Sequence, residues 1–216
     1  MLVFAAETSC DETSICLMEN SSIVEHITFS QEIHKIHGGV VPELASRSHL
    51  EKIQIITNDL FNNKKIDPKE IDVFTATCGP GLIGSLLVGS TFTKSLAISL
   101  NKPFIPINHL EGHILSTSFN NDIKFPSLVL LLTGGHTQVY LMKDEGNIEL
   151  LGQSIDDAIG EAFDKTAKLI GLSYPGGAEI EREAVKGDEN RFILPKPLAK
   201  EKNFNFSFSG IKTHIN

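Results

Sequence analysis

The stretch that most constrains this chain is Phe125-Pro-Ser-Leu-Val-Leu-Leu-Leu-Thr-Gly-Gly-His-Thr-Gln-Val-Tyr-Leu-Met142. Large aliphatic residues run from Leu128 to Leu132, stop at Thr133-Gly134-Gly135, and alternate again from Val139. The run is too short to cross a membrane and is bounded by Pro126 and the glycine pair. It predicts a buried strand, a tight turn and a returning strand. Glycines at such a turn let backbone N–H groups approach a ligand, and successive N–H groups form an anion-binding concavity. The hydroxyls of Thr133 and Thr137 and the ring of His136 add polar groups at the same tip. Taken alone, the pattern more often marks an ordinary hairpin than a phosphate cradle.

The plan has an echo at the N-terminus. Leu2-Val-Phe-Ala-Ala6 ends in Glu7-Thr8-Ser9, Ile15 to Met18 returns, Asn20-Ser21-Ser22 turns, and Ile23 to Phe29 makes a third strand. The central stretch repeats it: a strand to Leu132, a polar turn, a strand over 138–143, the Glu145-Gly146-Asn147 turn, and a strand over 148–151. Each unit is followed by helical sequence. A duplicated α/β domain is expected, with lobes 1–123 and 124–216, facing turns, and a nucleotide site at the junction.

Composition sets outer limits. The 216 residues are 41% hydrophobic and 21% charged, the balance of a globular protein with a real core. No stretch has the apolar length of a membrane span, and Glu7 interrupts a first apolar run that no basic region precedes, so neither membrane association nor a signal peptide is expected. Cys10, Cys16 and Cys78 are odd in number and lack metal-knuckle spacing, which fits reduced thiols in the cytoplasm. The net charge of −8 argues against a surface built for indiscriminate nucleic-acid binding.

Further motifs follow in chain order. His37-Gly-Gly-Val-Val-Pro-Glu43 reads as a loop opening a helix at Pro42, with Leu44, Leu50, Ile53, Ile56 and Leu60 at roughly helical spacing and His49 on the helix surface. A strand over 71–77 runs into Cys78-Gly-Pro-Gly-Leu-Ile-Gly84. This suits helix N–H groups offered to an anion and also close helix–sheet packing through Gly84, Ser85 and Gly89, and both can hold together. His109-Leu-Glu-Gly-His113 places two histidines on one helix face, able to share a metal. It is not the metalloprotease signature, which needs Glu where Leu110 stands. An acidic helix from Ile155 to Leu169, the Tyr174-Pro-Gly-Gly177 turn and a helix over 178–187 come next. In the basic tail Phe204, Phe206 and Phe208 alternate, which predicts a strand with one buried face. An RNA-contacting surface that includes Arg191, Lys196, Lys200, Lys202 and Lys212 is a second reading.

Taken together, Glu7-Thr-Ser-Cys-Asp-Glu-Thr13, His37-Gly-Gly-Val-Val-Pro-Glu-Leu-Ala-Ser-Arg-Ser-His49, Gly79-Pro-Gly-Leu-Ile-Gly-Ser-Leu-Leu-Val-Gly89, Asn108-His-Leu-Glu-Gly-His113, Leu131-Leu-Thr-Gly-Gly-His-Thr-Gln138, Asp156-Asp-Ala-Ile-Gly-Glu-Ala-Phe-Asp-Lys165, Tyr174-Pro-Gly-Gly177 and Phe206-Ser-Phe-Ser-Gly-Ile-Lys-Thr213 resemble the TsaD/YgjD/Gcp family. These are tRNA N6-adenosine threonylcarbamoyltransferases of the actin/hexokinase/Hsp70-like (ASKHA) fold, and the likeness covers the whole chain. It implies transfer of threonylcarbamoyl from threonylcarbamoyl-AMP to N6 of the adenosine 3′ of the anticodon, in tRNAs reading codons that begin with A. By position, it makes His109 and His113 ligands of one divalent metal, Fe2+ in the family's usual assignment and Zn2+ as the alternative. It assigns Leu131, Leu132, Thr133, Gly134 and Gly135 to a substrate-binding turn and Asp164 and Gly177 to the adenylate. Asp11, Glu12 and His136 fall beside the phosphate and metal. The partners it implies are tRNA, a TsaB-type dimerisation partner, a TsaE-type ATPase and a TsaC-type synthase.

The family is longer than this chain, and its third metal ligand, an aspartate, lies in the segment expected after Asn216. An incomplete second lobe and metal site are therefore expected, as in an inactive or split fragment. Two other readings compete with the transferase. One is a sialoglycoprotein endopeptidase-type metalloprotease, and the other a non-catalytic scaffold of the same fold.

Overall fold

The computed structural model describes residues 1–119 and 121–215 and forms two units, Met1–Phe119 and the residues that follow. In the first unit, β1 (Leu2–Glu7) alternates so that Phe4 and Ala6 are buried. It pairs antiparallel with β2 (Glu12–Glu19), which pairs antiparallel with β3 (Ser22–Ser30). After α1 (Ile33–His37) and α2 (Pro42–Lys64) the chain enters β4 (Val73–Gly79), then α3 (Ile83–Ser99) and β5 (Phe104–Asn108). β1, β4 and β5 run parallel, giving a sheet of order β3-β2-β1-β4-β5. The core beneath it joins Phe4, Ile15 and Leu17 to Ile56, Leu60, Ile71 and Phe74, with the Phe4 and Phe74 rings 5.5 Å apart at their centroids.

Helix α2 opens on Pro42, whose missing N–H costs nothing at a first turn, and ends where Lys65 turns left-handed. Its buried face is Ala45, His49, Ile53, Ile56, Thr57 and Leu60. This corrects the sequence reading of the helix: His49 is 0% exposed and Leu50, counted as core, is 68% exposed. The steps from 45 to 49 to 53 carry the core stripe through the histidine. Helix α3 turns Ser85, Leu86, Gly89, Thr93 and Ala97 inward, the mostly small-residue face that lets a helix lie close on a sheet. A Cβ on Gly89 would sit 2.2 Å from the Thr8 hydroxyl.

The second unit repeats the strand–turn–strand–turn–strand plan in β6 (Ser127–Leu132), β7 (Thr137–Asp144) and β8 (Asn147–Gln153), an antiparallel sheet. It continues through α5 (Ile159–Leu169), α6 (Gly176–Ala184) and α7 (Ser209–Ile215). The duplication expected from the sequence is thus present.

Three details differ from expectation. Leu128, Leu130 and Leu132 are 70%, 56% and 50% exposed, so β6 buries one face through Leu131 rather than both. β1, by contrast, is flanked on both sides, by β2 and β4, whereas among the described residues β6 pairs with β7 alone. The acidic helix begins at Ile159, four residues later than predicted, because Asp156 and Asp157 are engaged before it. Phe204, Phe206 and Phe208 do not form a strand. Phe206 makes a single parallel bridge to Ser154, the Phe206 and Phe208 rings stack on each other, and Phe204 is exposed. Stacking two aromatics of the same parity satisfies the alternation without a sheet. No described helix is long and apolar enough to cross a membrane.

Candidate functional site

The carboxyl ends of β1, β4 and β5 bring three segments together in the first unit, the location where open parallel sheets bind ligands. Glu7 closes β1, the Gly79-Pro80-Gly81 turn closes β4, and Asn108 closes β5 and starts α4 (His109–Leu115). The first two turns interlock. Leu82 N–H donates to the Ser9 carbonyl at 2.8 Å, and a Cβ on Gly81 would meet that same carbonyl oxygen at 2.7 Å. Close packing, one of the two readings of this glycine-rich segment, is present here.

Asn108 caps α4, its Oδ1 accepting from Leu110 N–H at 2.8 Å and Glu111 N–H at 3.3 Å. The cap fixes His109 in the first turn, and His113 lies one turn further on. The two Nε2 atoms stand 3.2 Å apart. Two zinc–imidazole bonds of normal length at a tetrahedral angle hold their nitrogens ~3.3 Å apart. The pair therefore has the spacing of two ligands on one ion. Burial, and then the neighbouring charge of His109, push the His113 imidazole below its ordinary range, which favours the neutral form a metal needs. Among the described residues no group of three or more His, Cys, Asp or Glu is placed to hold a metal.

Glu7 faces the outer side of His109, with Oε1 3.5 Å from Nδ1, and the same oxygen accepts from Ser9 N–H at 2.7 Å. Ser9 Oγ lies 3.4 Å from His109 Nε2. Burial pushes the Glu7 carboxyl up, but the His109 and Ser9 contacts outweigh it and hold it below the usual value. Asp11 is half-buried in the turn, and its carbonyl accepts from Gln31 N–H at 3.1 Å. Glu12 begins β2 opposite Ser30, whose hydroxyl donates to its carboxylate at 2.7 Å. Although Cys10 touches solvent, burial of the thiol and then the Asp11 charge push it up to about 12, away from the thiolate form a nucleophile needs.

A polar network missed by the sequence reading supports this turn from below. Val41 N–H donates to His34 Nδ1 at 3.2 Å, so His34 Nε2–H donates to Gln31 Oε1 at 2.8 Å. Gln31 Nε2 donates toward His49 Nδ1 at 3.3 Å, Thr13 Oγ1 donates to that nitrogen at 2.8 Å, and His49 Nε2–H donates to the Cys10 carbonyl at 3.0 Å. Burial pushes His49 below the ordinary histidine range, keeping it neutral. The signal available in the sequence was the position of His49 in the 45-49-53 stripe.

In the second unit the Thr133–His136 turn joins β6 to β7. Thr133 Oγ1 accepts from His136 N–H at 2.9 Å and Gly135 N–H at 3.3 Å, so two of the tip's amides bond inside the turn. The positions a Cβ would take at Gly134 and Gly135 are open. Thr137 is buried and accepts from Ile159 N–H at 2.8 Å, capping α5 rather than lining the tip. Along α5, Gly160 lies against the Thr133–Gly134 backbone, where a Cβ would meet the Thr133 carbonyl at 2.8 Å. One turn on, Asp164 Oδ1 accepts from Gly176 N–H at 2.7 Å, beside Gly177. One face of α5 thus links the Leu131–Gly135 segment to Asp164 and Gly177.

Asp156 and Asp157 serve structure. Asp156 accepts from the Ser207 and Ser209 hydroxyls and from Phe208 N–H at 2.8 Å, while Asp157 pairs with Lys165 at 2.7 Å and Lys212 at 3.4 Å. Burial raises the Asp156 carboxyl, but these donors outweigh it and hold it well below the usual carboxylate range. A depressed folded value means that the anchor is fully present above the unfolded value of about 4 and is lost as pH falls through the lower folded value. Asp156→Asn is expected to speed amide exchange at Phe208 and Ser209 roughly tenfold at pH 7. The unaltered protein should lose the same protection only below about pH 4. Exchange measured by mass spectrometry or NMR checks both.

Residues 22–216 match the family described as TsaD: tRNA N6-adenosine threonylcarbamoyltransferase. The chain belongs to this family. It is 46% identical over 217 residues to the tRNA N6-adenosine threonylcarbamoyltransferase of Thermosipho africanus, covering 100% of this chain and 66% of that protein. To the protein of that name from Pelagibacter ubique it is 49% identical, with 99% and 62% covered. The chain therefore spans about two thirds of the length of these relatives. Component A of the (R)-2-hydroxyglutaryl-CoA dehydratase of Acidaminococcus fermentans superposes with a TM-score of 0.50 at 11% identity, covering 100% of this chain and 66% of that one. At that identity the likeness concerns the fold alone, which is the ASKHA fold.

Proposed function

We propose that this chain carries the nucleotide- and metal-binding part of a tRNA N6-adenosine threonylcarbamoyltransferase. The reaction moves threonylcarbamoyl from threonylcarbamoyl-AMP to N6 of the adenosine 3′ of the anticodon and releases AMP. The observation that carries the reading is the 3.2 Å convergence of His109 and His113 Nε2 in a chain of this family. A divalent metal on that pair, iron or zinc, would act as a Lewis acid on an oxygen of the mixed anhydride.

The remaining roles belong to the chain itself. Gly134 and Gly135 leave backbone open at a turn tip, suited to close approach by the adenylate. Asp164, whose Oδ1 is fixed by Gly176 N–H, is suited to a ribose hydroxyl through its other oxygen. Asp11 lies in the turn after β1 and Glu12 opens β2, at the end of β1 where the histidines lie. The acceptor amine is a weak nucleophile, so positioning supplies much of the acceleration. A covalent intermediate on Cys10 is disfavoured by its raised thiol value. TsaB-, TsaE- and TsaC-type proteins are the proposed partners, and the cytoplasm the proposed compartment.

The test is reconstitution. The protein is incubated with those partners, threonine, bicarbonate, ATP and unmodified tRNA, beside a full-length relative as control. Threonylcarbamoyladenosine above the blank in digested tRNA is the expected result. No product while the control is active would overturn the reading for this chain.

A further inference from the structure

Each metal-binding histidine must present one ring nitrogen as a lone pair, and something must hold the proton on the other. At His109 the neighbours decide which is which. Nδ1 faces the Glu7 carboxylate, which when ionised can only accept, an arrangement that favours the proton on Nδ1. Nε2 then holds the lone pair, and the groups around it can donate to it in the metal-free protein: Ser9 Oγ at 3.4 Å and His113 Nε2–H at 3.2 Å, the latter proton having to leave Nε2 when a cation takes its place. Glu7 is itself held. Its Oε1 is tied to Ser9 N–H at 2.7 Å, Ser9 is 2% exposed, and the Ser9 carbonyl is pinned by Leu82 N–H at 2.8 Å.

From this we infer that Glu7 is a positioning residue for the histidine pair: its carboxylate holds His109 as the Nδ1–H tautomer, so that Nε2 converges with His113 Nε2 on a divalent cation. The role in metal binding rests on the function proposed above, whereas the hold on the ring does not. The contact at 3.5 Å is an ion-pair separation, so the effect is on tautomer and ring orientation more than on folding. Glu7→Gln keeps an oxygen for Ser9 N–H while removing the charge that fixes the Nδ1 proton.

Two readouts test the inference. In metal-free protein, long-range 15N–1H correlations on the histidine rings report the His109 tautomer, and Nδ1–H is expected in the unaltered chain. Glu7→Gln should give a mixture with Nε2–H. Titration with Co2+, followed by its visible absorption, should then give an affinity roughly 10- to 100-fold weaker in Glu7→Gln than in the unaltered protein, the range seen when outer-shell partners are lost. His113→Ala serves as the control that locates the ion at the pair. Finding His109 already Nε2–H in the unaltered protein overturns the inference without recourse to any variant. So does a Glu7→Gln protein of unchanged tautomer and affinity. A tautomer shift in a protein that binds no Co2+ would overturn the metal reading while leaving the hold of Glu7 on the ring established.

Discussion

His49→Ala is expected to destabilise the first unit by about 3 kcal/mol or more, read as a lower urea midpoint. The imidazole is wholly buried and links three groups: the Cys10 carbonyl, the Thr13 hydroxyl and the Gln31 amide. Alanine removes a partner of the first two and one partner of the Gln31 amide, which keeps the Ala45 carbonyl at 3.3 Å, and leaves a cavity that the α2–sheet packing closes only in part. Each unmade buried hydrogen bond costs about 1–3 kcal/mol, which outweighs the slight gain in helix propensity. The pH dependence separates this role from simple filling of space. His49 has a lowered folded value, so its contribution is fully present above the unfolded value of about 6.5 and is lost as pH falls through the folded one. That part of the acid sensitivity should vanish in His49→Gln. A His49→Ala protein as stable as the unaltered chain would mean that the network under the Cys10–Asp11 turn does not hold it.

Much of the architecture was legible because period and punctuation agree. The alternation in β1 and β2, the Asn20-Ser21-Ser22 turn and the Pro42 start of α2 each fall where local chemistry puts them. The repeat of that plan around Thr133–His136 was enough to predict duplication, and the structure contains it. The failures over burial share one cause, since apolarity in a sequence does not say which faces get covered. Leu50 and the Leu128, Leu130, Leu132 row lie on open faces, while His49, Gln31 and His34 are buried because they bond to one another. Such a network has no period. Within the site, the motif at 109–113 announced the histidine pair from spacing alone. Glu7 was visible only as a strand end, because its partner is 102 residues away in the chain and 3.5 Å away in space. Gly160 was equally silent, a close-approach position that only the folded backbone defines, whereas the Gly176-Gly177 pair was legible as a close approach, and a Cβ on Gly176 would meet Ala167 Cβ at 2.3 Å.

Gly89→Ala is expected to have the second large effect, with a sign opposite to that in an exposed helix. In an open helix interior alanine would gain up to about 1 kcal/mol over glycine. Here the new Cβ would stand 2.2 Å from Thr8 Oγ1, 3.1 Å from its Cγ2 and 3.2 Å from its Cβ. Thr8 is buried, and its hydroxyl donates to the Ser85 carbonyl at 2.8 Å, so it cannot rotate away without losing that bond. Overpacking at about 1–3 kcal/mol together with the lost hydrogen bond outweighs the propensity gain, for a net destabilisation of about 3 kcal/mol. A double-mutant cycle tests the cause. Thr8→Ala removes both of the closest atoms, leaving the Thr8 Cβ at 3.2 Å, so the Thr8→Ala/Gly89→Ala protein should be more stable than Gly89→Ala alone. Additive losses in the cycle, or a neutral Gly89→Ala, would mean that α3 lies further from β1 than the packing implies. The turn at Glu7–Ser9 would then lose one of its supports, because Thr8 joins β1 to α3 immediately beside the carboxylate that faces His109.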